Sequence, residues 1–389
     1  MTATRIFLVA GEPSGDNLGA KLMLALKRAT GGAVEFSGVG GERMAGEGLK
    51  SLFPLSDLSV MGLAEVVPRL PTIFARLRQT AEAIKTTRPD IVVLIDAPSF
   101  GLRVADRIRG SGIPVVQYVA PQLWAWRPGR AKKLEGRIDA MLALLPFEPD
   151  FFAKLGLACT HVGHPVLEDA LAPADAAGFR TRHEIAAEAP LVAVLPGSRA
   201  GLFGRMAPTF AAAANALAAT HPQTAFVVPY VANTEVASAA FAATLPGKVV
   251  RVADPAEKRA AFRAADAALS VSGTSTLELA VAGLPTVVGH RVNALSGWLA
   301  RKLIQVPYVA MPNVIAGRVV IPELLQADCT PAALVAALAH LLDDPAAASK
   351  MRADLASVCE ALGQGEIARG RLPSDRAATA ILELLRSRG

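Results

Sequence analysis

A chain of 389 residues exceeds one ordinary domain and predicts about two to three. Its 52% hydrophobic and 19% charged residues supply a sizeable core and exclude a disordered chain. The net charge of +6 comes with no long basic run and no aromatic-basic ladder, so nucleic acid is not a predicted partner.

Cys159, Cys329 and Cys359 are widely spaced, which speaks against a disulfide framework or a zinc ribbon and fits a reducing cytosol. His161 and His164 are followed at once by Pro165, with no further ligand set nearby, so no metal site is predicted. The apolar run that ends at Ala10 is too short for a signal peptide, and no stretch reaches the roughly 18 apolar residues of a membrane span. Membrane contact, if made, is therefore expected to be peripheral.

In chain order, short β-branched runs predict strands at Ile6–Ala10, Val34–Val39, Ile91–Ile95, Val115–Val119, Ala140–Leu145 and Thr160–Val162. Their apolarity is continuous rather than alternating, the mark of strands buried on both faces of a parallel sheet. Helical patterns such as Gly19–Thr30 and Ile73–Thr87 lie between them, giving a doubly wound α/β lobe. Residues 166–190 carry no strand signal. The pattern restarts at Leu191–Leu195, Phe226–Val228, Val249–Val252, Ala267–Val271 and Thr286–Val288, and closes with helices at Pro331–Leu342, Ala346–Leu362 and Ser374–Leu385. The predicted fold is therefore α/β, with two Rossmann-like lobes and a cleft between them. The boundaries are 1–167, 168–365 and a C-terminal helix, 366–389, packing back on the first lobe or on a partner subunit. Open parallel sheets bind ligands beyond their strand C-termini, so the turns after strands are the places to look.

Four such turns stand out. The first strand runs into Gly11, Glu12, Pro13, Ser14, Gly15 and Asp16, where glycines let backbone amides approach a ligand. The spacing is neither that of a dinucleotide fold nor that of a phosphate-loop ATPase. The alternative is a tight turn with a helix cap from Ser14 or Asp16. The third strand ends in Asp96, a carboxylate suited to a general base if low dielectric raises its proton affinity, or else a cap for the next helix. In the second lobe, Gly197, Ser198 and Arg199 follow a strand and can hold a diphosphate. Ser272, Gly273, Thr274, Ser275 and Thr276 follow another, with hydroxyls for phosphate oxygens, and Glu278 can accept from ribose hydroxyls. Together these turns point to a nucleotide-sugar donor. No D-x-D triplet is present, so Arg199 and helix N-termini are expected to balance leaving-group charge without a metal.

Leu63, Val66, Val67, Leu70, Ile73, Phe74 and Leu77 recur at helical spacing among Arg69, Arg76 and Arg78, with Pro68 and Pro71 expected to kink or shorten the helix. A basic amphipathic segment of this kind either lies in a bilayer interface or packs on its own sheet. Trp124 and Trp126 similarly admit a sugar-stacking or lipid-facing loop, or a place in the core.

The chain resembles the lipid-A-disaccharide synthase family of bacterial inverting glycosyltransferases with the GT-B fold. The matching pieces run in family order from Val9 to Asp16, Val60-Met61-Gly62, Ile95 to Phe100 and Trp124 to Arg127, then Leu145 to Glu148 and Val162 to Pro165. They continue through Leu195 to Arg199, Ser272-Gly273-Thr274, Pro312 to Arg318 and Pro322 to Gln326. The resemblance implies a UDP-2,3-diacylglucosamine donor, the acceptor 2,3-diacylglucosamine 1-phosphate (lipid X) and no cofactor. It also implies an N-terminal acceptor lobe and peripheral attachment to the cytoplasmic face of the inner membrane. The acceptor residues would include Gly11, Glu12, Ser14, Gly15, Asp16 and Met61. Asp96 would be the base, and Arg199 and Asn313 would line the active region. A homodimer exchanging C-terminal parts is implied too. The chain departs from the family at Leu202, where an acidic residue is usual. Rival readings are a UDP-sugar epimerase, a lipid-linked peptidoglycan transferase and a nicotinamide-dependent oxidoreductase. The last is disfavoured by the absence of G-x-G-x-x-G at the first turn.

Overall fold

The computed structural model describes residues 3–58, 63–126, 134–292 and 306–388, with backbone only for 63–67 and 126. Expectations attached to Met61, to the side chains of Leu63, Val66, Val67 and Trp126, and to Arg127 lie outside the described residues. The chain divides into two compact units, Met1–Pro165 with Gly365–Gly389, and Val166–Gln364.

The first unit carries six parallel strands: β1 (Thr4–Ala10), β2 (Val34–Val39), β3 (Ile91–Ile95), β4 (Val115–Tyr118), β5 (Ala140–Ala143) and β6 (Cys159–His161). Their order is β2-β1-β3-β4-β5-β6. All five residues of β3 are buried, as continuous apolarity requires of a strand covered on both faces. The second unit repeats the plan with β7 (Leu191–Leu195), β8 (Ala225–Pro229), β9 (Val249–Val252), β10 (Ala267–Ser270), β11 (Thr286–His290) and β12 (Glu323–Leu325), ordered β12-β11-β10-β7-β8-β9. Each sheet reverses its winding once, between β1 and β3 and between β7 and β10. A parallel sheet opens a crevice beyond the strand ends at such a reversal. Ala10 pairs with Ile95 there in one unit and Leu195 with Ser270 in the other.

Two features differ from the sequence reading, and helices fill the stretch in which it found no strand. The strand β12 was not foreseen: it has three half-buried residues without β-branching, and its pairing with β11 defines it. Residues 166–190 form helices Val166–Asp169 and Ala176–Arg182, the second capped by the Asp175 carboxylate accepting from the Gly178 amide. The segment expected to kink or shorten at Pro68 and Pro71 is one helix, Leu63–Thr87, running through both. Proline removes one ladder hydrogen bond at each position, both toward the helix N-terminus. The rest is anchored where Leu77, Ala81 and Ile84 join a core with Phe7, Val9, Val92 and Leu94. Ile73 leans on that core, Leu70 is half-buried and Phe74 is 50% exposed.

The C-terminal helix Pro373–Arg386 packs on helix Pro13–Ala29 of the first unit. Its Ala377, Ala378 and Ile381 are buried with Leu22 and Leu26, and Arg28 pairs with Asp375 at 2.5 Å. The contact is thus an apolar seam with an ion pair at its edge. Among the described residues no helix is long and apolar enough to cross a membrane.

Candidate functional site

In the first unit Asp96 follows the end of β3, where the winding of the sheet reverses. Both Asp96 and Ala97 have left-handed backbone, with φ of 54° and 40°. Such a conformation costs roughly 1–2 kcal/mol per non-glycine residue, so it persists only where the surroundings fix it. Three contacts do so. The Asp96 amide donates to Tyr118 O at 2.9 Å, and the Gln117 amide nitrogen donates to Asp96 O at 3.3 Å. Gly11, from the turn after β1, sits where a Cβ would overlap that of Ala97. Only glycine permits that approach, which joins the two turns.

The Asp96 carboxylate is half-buried. Its Oδ2 accepts from the Ser14 hydroxyl at 2.8 Å and its Oδ1 from the Ala97 amide at 2.9 Å. One lone pair on each oxygen remains for another donor. Asp96 is not a helix cap: the helix Pro98–Ile108 has Ala97 as its N-cap residue and no side-chain cap.

The other residues of the first turn separate by role. Glu12 and Ser14 are exposed. Gly15 is buried, where a Cβ would stand 3.2 Å from Ile95 O. Asp16 is only 6% exposed and accepts from the amides of Gly41, Arg43 and Met44 at 2.8, 3.0 and 3.0 Å. It thus caps the short helix Glu42–Gly46, not the helix it belongs to, and is largely spent on the fold.

An open pocket of about 340 Å³ lies beside the Pro98 helix start, lined by Pro98, Ser99, Leu102, Pro121, Leu123, Leu134 and Arg137. Next to it, Trp124 is half-buried, not presented as a free stacking face. Its indole donates to Glu148 Oε1 at 3.0 Å and meets the Phe147 ring edge-on at 4.9 Å. Glu148 is itself 2% exposed, and burial pushes its carboxyl up to about 7 despite the bonds from Leu145 and Trp124.

In the second unit a pocket of about 180 Å³ opens beyond the ends of β7, β8, β9 and β10. Its lining includes Gly197, Ser198, Tyr230, Lys258, Ser275 and Glu278. The β7 and β10 turns predicted from sequence therefore meet here. Gly197 has φ 129°, which favours glycine, and a Cβ there would touch Leu202 at 3.2 Å. Leu202, the position where the sequence departs from the family resemblance, thus packs against this turn. Arg199 is the exposed N-cap residue of helix Ala200–Thr220.

After β10, Gly273 and Thr274 are exposed, whereas two neighbouring hydroxyls are committed to backbone. Ser272 donates to Val309 O at 2.6 Å, and Thr276 donates to Gly273 O at 2.7 Å. Glu278 pairs with Lys258 through both carboxylate oxygens, at 2.9 and 3.1 Å.

Asn313 is fully buried. Its amide donates to Ile321 O and Glu323 Oε1 at 2.8 and 2.7 Å, and its oxygen accepts from Val320 and Ile321 amides at 2.7 and 2.9 Å. Glu323 in turn accepts from the amides of Val309 and Ala310. Asn313 thus ties the segment that Ser272 also holds, and has no capacity left for a ligand.

The sequence reading missed Tyr230, which follows β8, and Lys258, which follows β9. The same strand-end rule, applied to every strand, would have found both. Arg251 stacks on Tyr230 at 4.4 Å and is fixed by donating to the buried Ser238 hydroxyl at 2.8 Å. Among the described residues no group of three His, Cys, Asp or Glu side chains gathers as a metal site would require.

The family model described as "Lipid-A-disaccharide synthetase" matches residues 6–371. A lipid-A-disaccharide synthase of Rhodospirillum centenum is 47% identical over 98% of the chain and 95% of the relative. One of Granulibacter bethesdensis is 44% identical over 99% and 100%. Among solved structures, the Neisseria meningitidis UDP-GlcNAc 2-epimerase bound to UDP-GlcNAc is similar with a TM-score of 0.63 at 12% identity, covering 94% of this chain and 99% of that one. The kitacinnamycin glycotransferase is similar with a TM-score of 0.62 at 18% identity, over 98% and 99%. These two share the fold, which is of the GT-B type.

Proposed function

The chain belongs to the lipid-A-disaccharide synthase family, glycosyltransferases of lipid A biosynthesis, and we propose from that premise that it joins UDP-2,3-diacylglucosamine to 2,3-diacylglucosamine 1-phosphate. The products are the β-linked disaccharide 1-phosphate and UDP. The observation that carries this reading is the Asp96 carboxylate, held at a strand end by Ser14 and a strained turn, with acceptor capacity remaining on both oxygens.

The reaction is a single inverting displacement without a metal or cofactor. Asp96 takes the proton of the acceptor's primary hydroxyl as that oxygen bonds to the donor's anomeric carbon. The bond from that carbon to the diphosphate breaks on the opposite face, and UDP carries the charge away. Ser198, Arg199 and the exposed Gly273–Thr274 turn meet the diphosphate, and Glu278 takes the ribose. Ser272 and Thr276, with their hydroxyls already used, shape that turn without contacting phosphate. In the first unit Glu12 and Ser14 contact the acceptor, while Gly11, Gly15 and Asp16 fix the turn that presents them.

The protein works peripherally at the cytoplasmic face of the inner membrane, with the basic amphipathic helix 63–87 toward the bilayer. It forms a homodimer that exchanges C-terminal parts. In such an exchange Pro373–Arg386 would make its contact with Pro13–Ala29 of a second copy, which the mass in solution tests. Mass spectrometry after incubation with both acylated sugars tests the reaction: the disaccharide 1-phosphate and UDP are expected together. Epimerised UDP-sugar, or no condensation, overturns it. Co-sedimentation of the same preparation with anionic vesicles is expected, and protein left in the supernatant overturns the membrane role.

A further inference from the structure

We propose that Lys258 is a positioning residue that aims the Glu278 carboxylate at the vicinal hydroxyls of a uridine nucleotide's ribose, and so sets the pocket's preference for ribonucleotides over deoxyribonucleotides. This rests on the donor assignment above and adds a residue and a selectivity to it.

Lys258 Nζ lies 2.9 Å from Glu278 Oε1 and 3.1 Å from Oε2. A carboxylate offers about four lone-pair sites, two on each oxygen. A cation shared between the oxygens takes one from each, leaving one on each for two neighbouring hydroxyls. Both side chains line the pocket and are about one-third exposed. An ion pair this exposed contributes little to folding.

The lysine is held from its own side. The Asp254 carboxylate caps the Pro255–Ala264 helix by accepting from the Ala256 and Glu257 amides, which fixes the turn that carries Lys258. The neighbouring carboxylate of Glu257 is engaged by Arg182 at 2.8 Å. Lys258 thus serves Glu278. A lysine that instead met the diphosphate would have to leave that carboxylate.

The test is calorimetric titration of the full chain with UDP and with 2′-deoxy-UDP. A hydrogen bond to an ionised group is worth roughly ten- to a hundredfold in affinity, so the unaltered protein should prefer UDP by at least about tenfold. Lys258→Met should weaken UDP by about tenfold while leaving 2′-deoxy-UDP within about twofold, collapsing the preference. Glu278→Gln should do the same, and the double variant should add little. Lys258→Arg should retain most of the preference, and circular dichroism should show every variant folded. Equal weakening of both nucleotides by Lys258→Met, or an unchanged preference, overturns the proposal. An unaltered protein that binds neither nucleotide overturns the donor assignment itself, a separate and distinguishable failure.

Discussion

Asp96 and Asn313 stand at the ends of a scale, although the family resemblance implies both in the active region. Asp96 sits half-buried on a strained turn and accepts one hydrogen bond on each oxygen. Asn313 is fully buried, and its amide already makes four bonds. A polar side chain can hydrogen-bond substrate only with donor or acceptor capacity left over, so the first is fit for chemistry and the second for shape. Asn313 reaches the site through what it holds, the 309–323 segment to which Ser272 is also tied.

The largest expected effect separates these roles. Asp96→Asn should lower turnover by about a hundred- to ten-thousandfold, the range for a removed general base. UDP affinity and thermal stability should stay near those of the unaltered protein. Near-normal turnover would remove Asp96 from the chemistry and erase the contrast.

Asn313→Ala should act in the opposite manner. It strips partners from the Val320 and Ile321 amides, Ile321 O and the Glu323 carboxylate, and should cost about 4 kcal/mol in denaturant unfolding. If stability were unchanged while turnover collapsed, Asn313 would have to reach substrate directly.

A second buried acid sharpens the comparison at a smaller scale. Burial raises the Glu148 carboxyl from 4.5 to about 7. The folded protein therefore keeps a proton that the unfolded chain releases, and stability falls as pH rises from about 4.5 to about 7. The full loss is about 3 kcal/mol, with no further change above that window. His161 and His290, pushed below their ordinary value by burial, act in the opposite sense on acidification. Both are present in a Glu148→Gln variant and cancel in the difference. Unfolding curves of the two proteins from pH 4.5 to 8 should converge toward acid, and parallel curves would show that Glu148 does not titrate there.

Much of the site was legible because strand ends are marked locally. Ile91–Ile95 followed by Asp96, and Leu191–Leu195 followed by Gly197, Ser198 and Arg199, carry the change from buried run to polar turn in adjacent residues. What could not be read was which polar atoms the fold would consume. Asp16 looks like a ligand residue in its motif, yet its partners are the amides of Gly41, Arg43 and Met44, some 25 residues away. Ser272 resembles a phosphate hydroxyl, yet it donates to Val309 O. Glu278 resembles a free ribose acceptor, yet it is already aimed by Lys258.

The sequence by itself determined the two parallel sheets, most of their strands and the turns where chemistry gathers, because burial on both faces and strand-end polarity are local patterns. Only the tertiary structure decided which of those polar groups remain available. Hydrogen bonds saturate, and the partners that saturate Asp16, Ser272 and Asn313 arrive from other segments of the folded chain.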